Sequence, residues 1–172
     1  PTVFPDTVLY LDKDNCSADS ALVPVHLDSL PFNACTNERA VLSRTLIDGT
    51  AVPDSFQVGS STIRWTFTFP TSNQKVFCDQ KITVNDTIAP DFNCDSLKTV
   101  IVRLTSGQTV TYDQVKAAGF KIPVVTDKCC TVTTTTTRSD GKQMEDDYPL
   151  GVTVINFAFA DNHGNVTKCA DS

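Results

Sequence analysis

Ile63, Trp65, Phe67 and Phe69 stand at every second position of the stretch STIRWTFTF, with Thr62, Arg64, Thr66 and Thr68 between them. Side chains of an extended strand point alternately to opposite faces of the sheet, so this period of two predicts a strand with one buried face. The alternation returns in Ile155, Phe157 and Phe159. Between such segments lie IDGT (Ile47 to Thr50), SDGK (Ser139 to Lys142) and DNHGN (Asp161 to Asn165), whose Asp, Asn and Gly residues suit tight turns. Short alternating segments separated by turns predict an all-β chain built as sandwiches.

The two patterned regions superpose. Val58 to Cys78 aligns with Leu150 to Cys169, with Gly59 on Gly151, Ile63 on Ile155, Trp65 on Phe157 and Phe67 on Phe159 at one constant interval. Upstream, FPDTVLYL (Phe4 to Leu11) matches CDSLKTVIV (Cys94 to Val102) within a residue or two, and FNAC before Cys35 matches TDKC before Cys129. Landmarks that recur in order predict two copies of one unit, residues 1–87 and 88–172. The stretch CDQKITVNDTIAPDFNC, Cys78 to Cys94, is then their joint. Pro90 restricts Ala89 to extended backbone, which predicts a short, stiff connection and an elongated pair. After Cys78 the first copy continues through DQKITVND, whereas only ADS follows Cys169, so the last strand of the second copy is expected to be truncated.

One segment has helical spacing. In TYDQVKAAGF (Thr111 to Phe120), Thr111 and Gln114 stand at capping-box separation and Gly119 can close the helix in a left-handed conformation. It reads as a short insertion in the second copy.

Composition supports these assignments and narrows the function. Two Glu stand beside eighteen Asp and a single Met, while Thr, Val and Phe are plentiful. A net charge of -6 without clustered Lys or Arg argues against nucleic acid as a partner. Seven cysteines without Cys-x-x-Cys spacing point to disulfides in an oxidising compartment. The chain opens at Pro1 without a basic and apolar leader, and no run of ~18 apolar residues occurs, so no membrane insertion is expected in this stretch. It reads as a mature piece of a secreted or cell-surface protein, its signal or anchor lying elsewhere.

An opening C-P, a D-N-C near the middle, a P-x-G-x-T-x-V run, a D-x-x-G-N-x-x-x-C turn and a closing V-x-D-x-x-A-P are the marks of the hyalin repeat, or HYR, an immunoglobulin-like extracellular sandwich that this chain resembles. The second copy does so through Cys94, TDKC, YPLGVTVINFAFAD and NHGNVTKC. The first copy contributes FQVGSSTIRW and the closing NDTIAP, with Phe4 where an opening cysteine is common. The resemblance implies two tandem immunoglobulin-like β-sandwich domains. It also implies a bond between Cys94 and Cys169 and an inner bond between Cys16 and Cys35. Cys78 is left without its usual partner, and Cys129 and Cys130 are left to pair with each other or stay reduced.

Catalytic chemistry has few candidates. His26 alternates with Val23 and Val25 as a strand histidine, and His163 lies in a turn; neither has an evident Ser or Cys partner. Glu145, Asp146 and Asp147 in MEDDYP read as a solvated turn. No catalytic residue and no cofactor is expected. Asp12 and Asp14 in LDKDNC, and Asp86 and Asp91 at the joint, are weak calcium candidates, since hard oxygen ligands cluster in this way but neither set completes a calcium loop. Trp65, Phe67, Phe157 and Phe159 are assigned to the core, leaving Tyr10, Tyr112 and Tyr148 as candidate sugar platforms. The run of five threonines from Thr133 to Thr137 suits an edge strand. DTV, DSA and DSL triplets, at Asp6, Asp19, Asp28 and Asp95, and DTI at Asp86 match the short O-glycosylation acceptor of Bacteroidetes.

The expected function is a non-catalytic stalk or adhesion module of a larger cell-surface protein, with an unidentified protein or glycan as partner. The alternative is a carbohydrate-binding accessory module of a secreted enzyme.

Overall fold

The computed structural model describes residues 4–13, 15–25, 30–104, 107 and 109–171. Asp14, His26 and Asp28 lie outside the described residues. The chain divides into two compact units, Pro1–Thr87 and Ile88–Ser172. It is mostly β, with several small sheets and one short helix.

Unit 1 holds β1 (Thr7–Tyr10), β2 (Ser17–Asp19), β3 (Phe32–Asn33), β4 (Glu38–Arg39), β5 (Val41–Leu46), β6 (Ser55–Gln57), β7 (Gly59–Phe69) and β8 (Gln74–Asn85). Its main sheet runs β1-β8-β7-β5, while β2 pairs with β6 and β3 with β4. The alternation in β7 is that of the sequence: Ile63, Trp65 and Phe67 are buried. Phe4 stacks on Trp65 with ring centroids 4.4 Å apart, and Ile82 and Val84 of β8 complete this face of the core. β8 pairs antiparallel with β7 from Gln74 to Val84, and its last residues, Ile82 to Asn85, also pair parallel with β1.

Unit 2 holds β9 (Thr109–Val110), α1 (Tyr112–Ala117), β10 (Thr133–Arg138), β11 (Tyr148–Pro149), β12 (Ile155–Ala160) and β13 (Val166–Asp171). Three strands form a sheet in the order β10-β12-β13, and β9 pairs with β11. Helix α1 has both halves of its capping box, Thr111 accepting from the Gln114 N–H and the Gln114 side chain accepting from Thr111. Val115 is its one buried residue, seated in a core with Phe120, Met144, Tyr148, Phe157 and Phe159. The threonine run is the edge strand β10, with alternate residues half-buried.

Local correspondence between the units extends to backbone geometry. Gly59 and Gly151 both adopt positive φ, +125° and +114°, a region that L side chains rarely enter. Trp65 lies opposite Cys78 in the β7–β8 ladder, and Phe157 lies opposite Cys169 in the β12–β13 ladder.

Candidate functional site

The cysteines are distributed unevenly. Cys94, in a 3-10 turn (Cys94–Ser96), is bonded to Cys169 on β13, with Cα atoms 5.5 Å apart. Unit 1 has Phe4 in the neighbourhood of the matching position, and there an aromatic stack on Trp65 closes the core instead of a disulfide. The inner bond expected between Cys16 and Cys35 does not form. Cys35 sits exposed in the turn between β3 and β4, its N–H held by Asn33 Oδ1 at 3.0 Å, and it remains a thiol. Cys16 is nevertheless disulfide-bonded, and so is Cys129. A vicinal Cys129–Cys130 bond is therefore ruled out, since Cys130, like Cys78, is a half-buried thiol.

Cys130 belongs to a small cluster. Its Sγ lies 3.2 Å from Nδ1 of His163, and the ligating atoms of Cys130, Asp161 and His163 lie within 4.8 Å of one another. Thiolate, imidazole and carboxylate are the donor set of zinc. Asp161, however, is already committed to the β12–β13 turn: Oδ1 accepts from the N–H groups of His163 (2.8 Å) and Asn165 (2.9 Å), and Oδ2 from the Asn165 side chain (2.7 Å). Burial pushes its carboxyl up, but the hydrogen bonds from the side chain and backbone of Asn165, and from the backbone of His163 and Gly164, outweigh burial and hold it below its ordinary value. The cluster as it stands is a capped turn beside a thiol–imidazole pair.

Of the calcium candidates in unit 1, Asp12 and Asp86 are among the described residues. Asp12 is exposed in a turn closed by Asn15 N–H donating to its carbonyl at 3.0 Å, and Asp86 is half-buried just beyond β8. Asp91, in unit 2, is exposed.

Among the candidate sugar platforms, Tyr148 is corrected. It is only 7% exposed, its hydroxyl donates to the Met144 carbonyl at 3.0 Å, and the guanidinium of Arg138 lies 3.7 Å over its ring. Sequence reading also missed Arg138 itself, which follows the threonine run and is buried. Its Nη1 donates to the carbonyls of Gln143 (2.8 Å) and Asp146 (2.7 Å), its Nη2 to that of Asp147 (3.1 Å), and its fork grips Asp140. The MEDDYP turn is thus wound around a buried cation, although Glu145, Asp146 and Asp147 are exposed as expected. Tyr112 is half-buried, with Lys116 Nζ 4.6 Å from its ring, and Tyr10 is exposed.

Unit 2 also carries an apolar groove of about 270 Å³. One wall is the extended segment Thr99–Val102 and the other is Leu150–Thr153, with Val110, Val115 and Phe120 beneath. Neither wall segment is paired in a ladder among the described residues. Ile101, Leu150 and Val152 are 73%, 65% and 79% exposed, an unusual concentration of bare aliphatic surface. No helix among the described residues is long and apolar enough to cross a membrane.

No protein-family model matches the chain. It is 34% identical over 119 residues to hyalin of Lytechinus variegatus, an alignment covering 66% of this chain and 19% of that protein. It is 33% identical over 128 residues to hyalin of Strongylocentrotus purpuratus, covering 73% of this chain and 9% of that protein. The chain therefore spans only a small part of the length of either relative. On these alignments it is distantly similar, over most of its length, to hyalin, a protein of the HYR-domain class.

Proposed function

We propose that the chain is a non-catalytic, extracellular adhesive module made of two HYR-like, immunoglobulin-type sandwich units in tandem, part of a larger surface protein. The observation that carries this reading is the similarity to hyalin across most of the chain. The disulfide-bonded cysteines favour an oxidising compartment outside the cytoplasm. Such a module works by holding a surface in place, so its useful properties are a stable β framework and exposed side chains that a partner can read. Extracellular localisation and adhesion are tested together by coating beads with the chain and measuring their attachment to cells or matrix. Attachment above that of beads carrying an unrelated β-protein of equal charge is expected. Attachment no greater than that control, or turnover of a glycoside or ester substrate by the chain, would overturn the reading.

The burial of Tyr148 removes one of the three aromatic platforms on which a carbohydrate-binding module would have been built. Adhesion through protein contacts is accordingly the preferred reading.

A further inference from the structure

One end of the β10-β12-β13 sheet brings two loops of unit 2 together. The β10–β12 ladder ends with Thr133 opposite Ala160, and the β12–β13 ladder begins at the same residue, Ala160 opposite Val166. Cys130 therefore stands just before the sheet on one loop, while Asp161 and His163 stand just after β12 on the other. Each loop is held by a carboxylate. Asp127 Oδ1 accepts from the N–H groups of Cys129 (2.8 Å) and Cys130 (3.0 Å), as Asp161 Oδ1 does from those of His163 and Asn165. The disulfide at Cys129 ties the first loop further. Unit 1 has the same local turn without the donors. Asn33 caps Cys35 as Asp127 caps Cys129, but Thr36 follows where Cys130 stands, and the β7–β8 turn, Pro70 to Asn73, offers neither imidazole nor carboxylate. The fold thus does not require this group of side chains.

We propose that Cys130, His163 and Asp161 form a binding site for a divalent ion of the zinc type. A tetrahedral zinc, with bonds of about 2.3 Å to sulfur and about 2.0 Å to nitrogen, holds those two ligand atoms about 3.5 Å apart. Sγ of Cys130 and Nδ1 of His163 lie 3.2 Å apart, so the metal can take the place of a proton between them with little movement. The thiol releases its proton to solvent as the sulfur–metal bond forms. Neutral imidazole gives the Nδ1 lone pair and keeps its proton on Nε2, and no electron changes hands. The ligating atoms of all three residues lie within 4.8 Å of one another. Oδ2 of Asp161 spends one lone pair on the Asn165 side chain, and its second supplies the third bond after an inward shift of about an ångström. The Asn165 hydrogen bond then orients the ligating carboxylate from behind. Three protein donors leave one position for an exchangeable water. Calcium and magnesium suit the site poorly, because they take oxygen and not sulfur. The inference goes beyond adhesion and stands on the geometry of unit 2 rather than on the similarity to hyalin.

The test uses the whole chain, stripped of metal by chelator, with zinc chloride as titrant. Calorimetry should show one zinc bound per chain with release of a proton. Cobalt(II) in its place should give thiolate charge-transfer absorption and the visible bands of a tetrahedral ion. Cys130→Ser and His163→Ala should each weaken zinc binding at least about tenfold, whereas Cys35→Ser and Cys78→Ser should leave it unchanged. Asp161→Asn, which keeps an oxygen for the turn N–H groups, should weaken it by a smaller factor. Bound zinc should also slow alkylation of Cys130 in the unaltered chain without slowing that of Cys35, a readout that needs no variant. Zinc binding indifferent to Cys130→Ser and His163→Ala, cobalt spectra without thiolate charge transfer, or equal alkylation of Cys130 with and without zinc would overturn the proposal. So would peptide mapping that finds Cys130 in a disulfide. None of these results bears on bead attachment measured in the presence of chelator, so the two readings fail separately.

Discussion

Trp65 of β7 donates its indole N–H to Oε1 of Gln80 on β8 at 3.0 Å. Gln80 is completely buried, and its amide nitrogen is satisfied in turn by the Pro5 carbonyl at 2.9 Å and by Thr7 Oγ1 at 3.2 Å. One side chain therefore joins β7, β8 and the segment leading into β1. Replacing Gln80 with Leu would leave the buried indole N–H without its acceptor and remove one of the two donors to the Pro5 carbonyl, the other being the Thr7 hydroxyl, at an expected cost of ~2 kcal/mol. Because Trp65 is the only tryptophan, its fluorescence during denaturant unfolding reports unit 1 specifically. Adding Trp65→Phe to Gln80→Leu should cost less than it does alone, since the polar demand of the indole disappears with it.

Arg138 makes a second buried network, and its replacement should be severe. Arg138→Met removes the donors of three carbonyls and the partner of Asp140, with an expected loss of ~3 kcal/mol. Arg138→Lys should recover little, because an ammonium cannot reproduce the planar fork. Hydrogen exchange should show the damage concentrated between Ser139 and Asp147.

The same network gives a pH dependence. The hydrogen bond from Arg138 holds the Asp140 carboxyl below its ordinary value, with the backbone N–H of Lys142 assisting. A carboxyl whose folded value is depressed contributes stability that is present in full above the unfolded value and is lost as pH falls through the folded one. Melting temperature should therefore drop on acidification in the wild-type chain, and the drop should be smaller in Asp140→Asn. Equal slopes in the two proteins would contradict the assignment.

Cutting the Cys94–Cys169 bond should loosen unit 2. The bond spans 75 residues, for which chain-entropy reasoning gives a loss of ~4 kcal/mol in Cys94→Ser or Cys169→Ser. Thermal unfolding of either variant, followed by near-ultraviolet circular dichroism, should show a lowered transition while the Trp65 signal of unit 1 stays close to wild type.

Thiol labelling provides an independent check of the cysteine map. Without reductant, alkylation should reach Cys35 first, because it is exposed in a turn, and Cys78 and Cys130 more slowly because they are half-buried. Cys16, Cys94, Cys129 and Cys169 should label only after reduction. Labelling of Cys16 at the rate of Cys35 would contradict the structure.

The sequence by itself determined those features whose physical cause is local. The buried face of β7 and of β12 follows from alternation at a period of two, and Gly59 and Gly151 mark backbone that no other residue enters cheaply. The capping box of α1 is likewise written in Thr111 and Gln114, four residues apart inclusive, and needs nothing beyond its own turn. Only the tertiary structure decided the rest. Gln80 sits in the polar run DQK and reads as solvent-facing, but its burial depends on Trp65 and Pro5, which lie 15 and 75 positions away. Arg138 looks like the polar end of an edge strand, yet the fold wraps the following loop around it. The Cys16–Cys35 expectation failed because the β3–β4 turn aims Cys35 into solvent. Which aliphatic residues are covered was not legible either, since Val110 and Val115 are buried while Val124 and Ile101 are exposed, according to which segments pack against each. A pattern along one segment does not specify that choice.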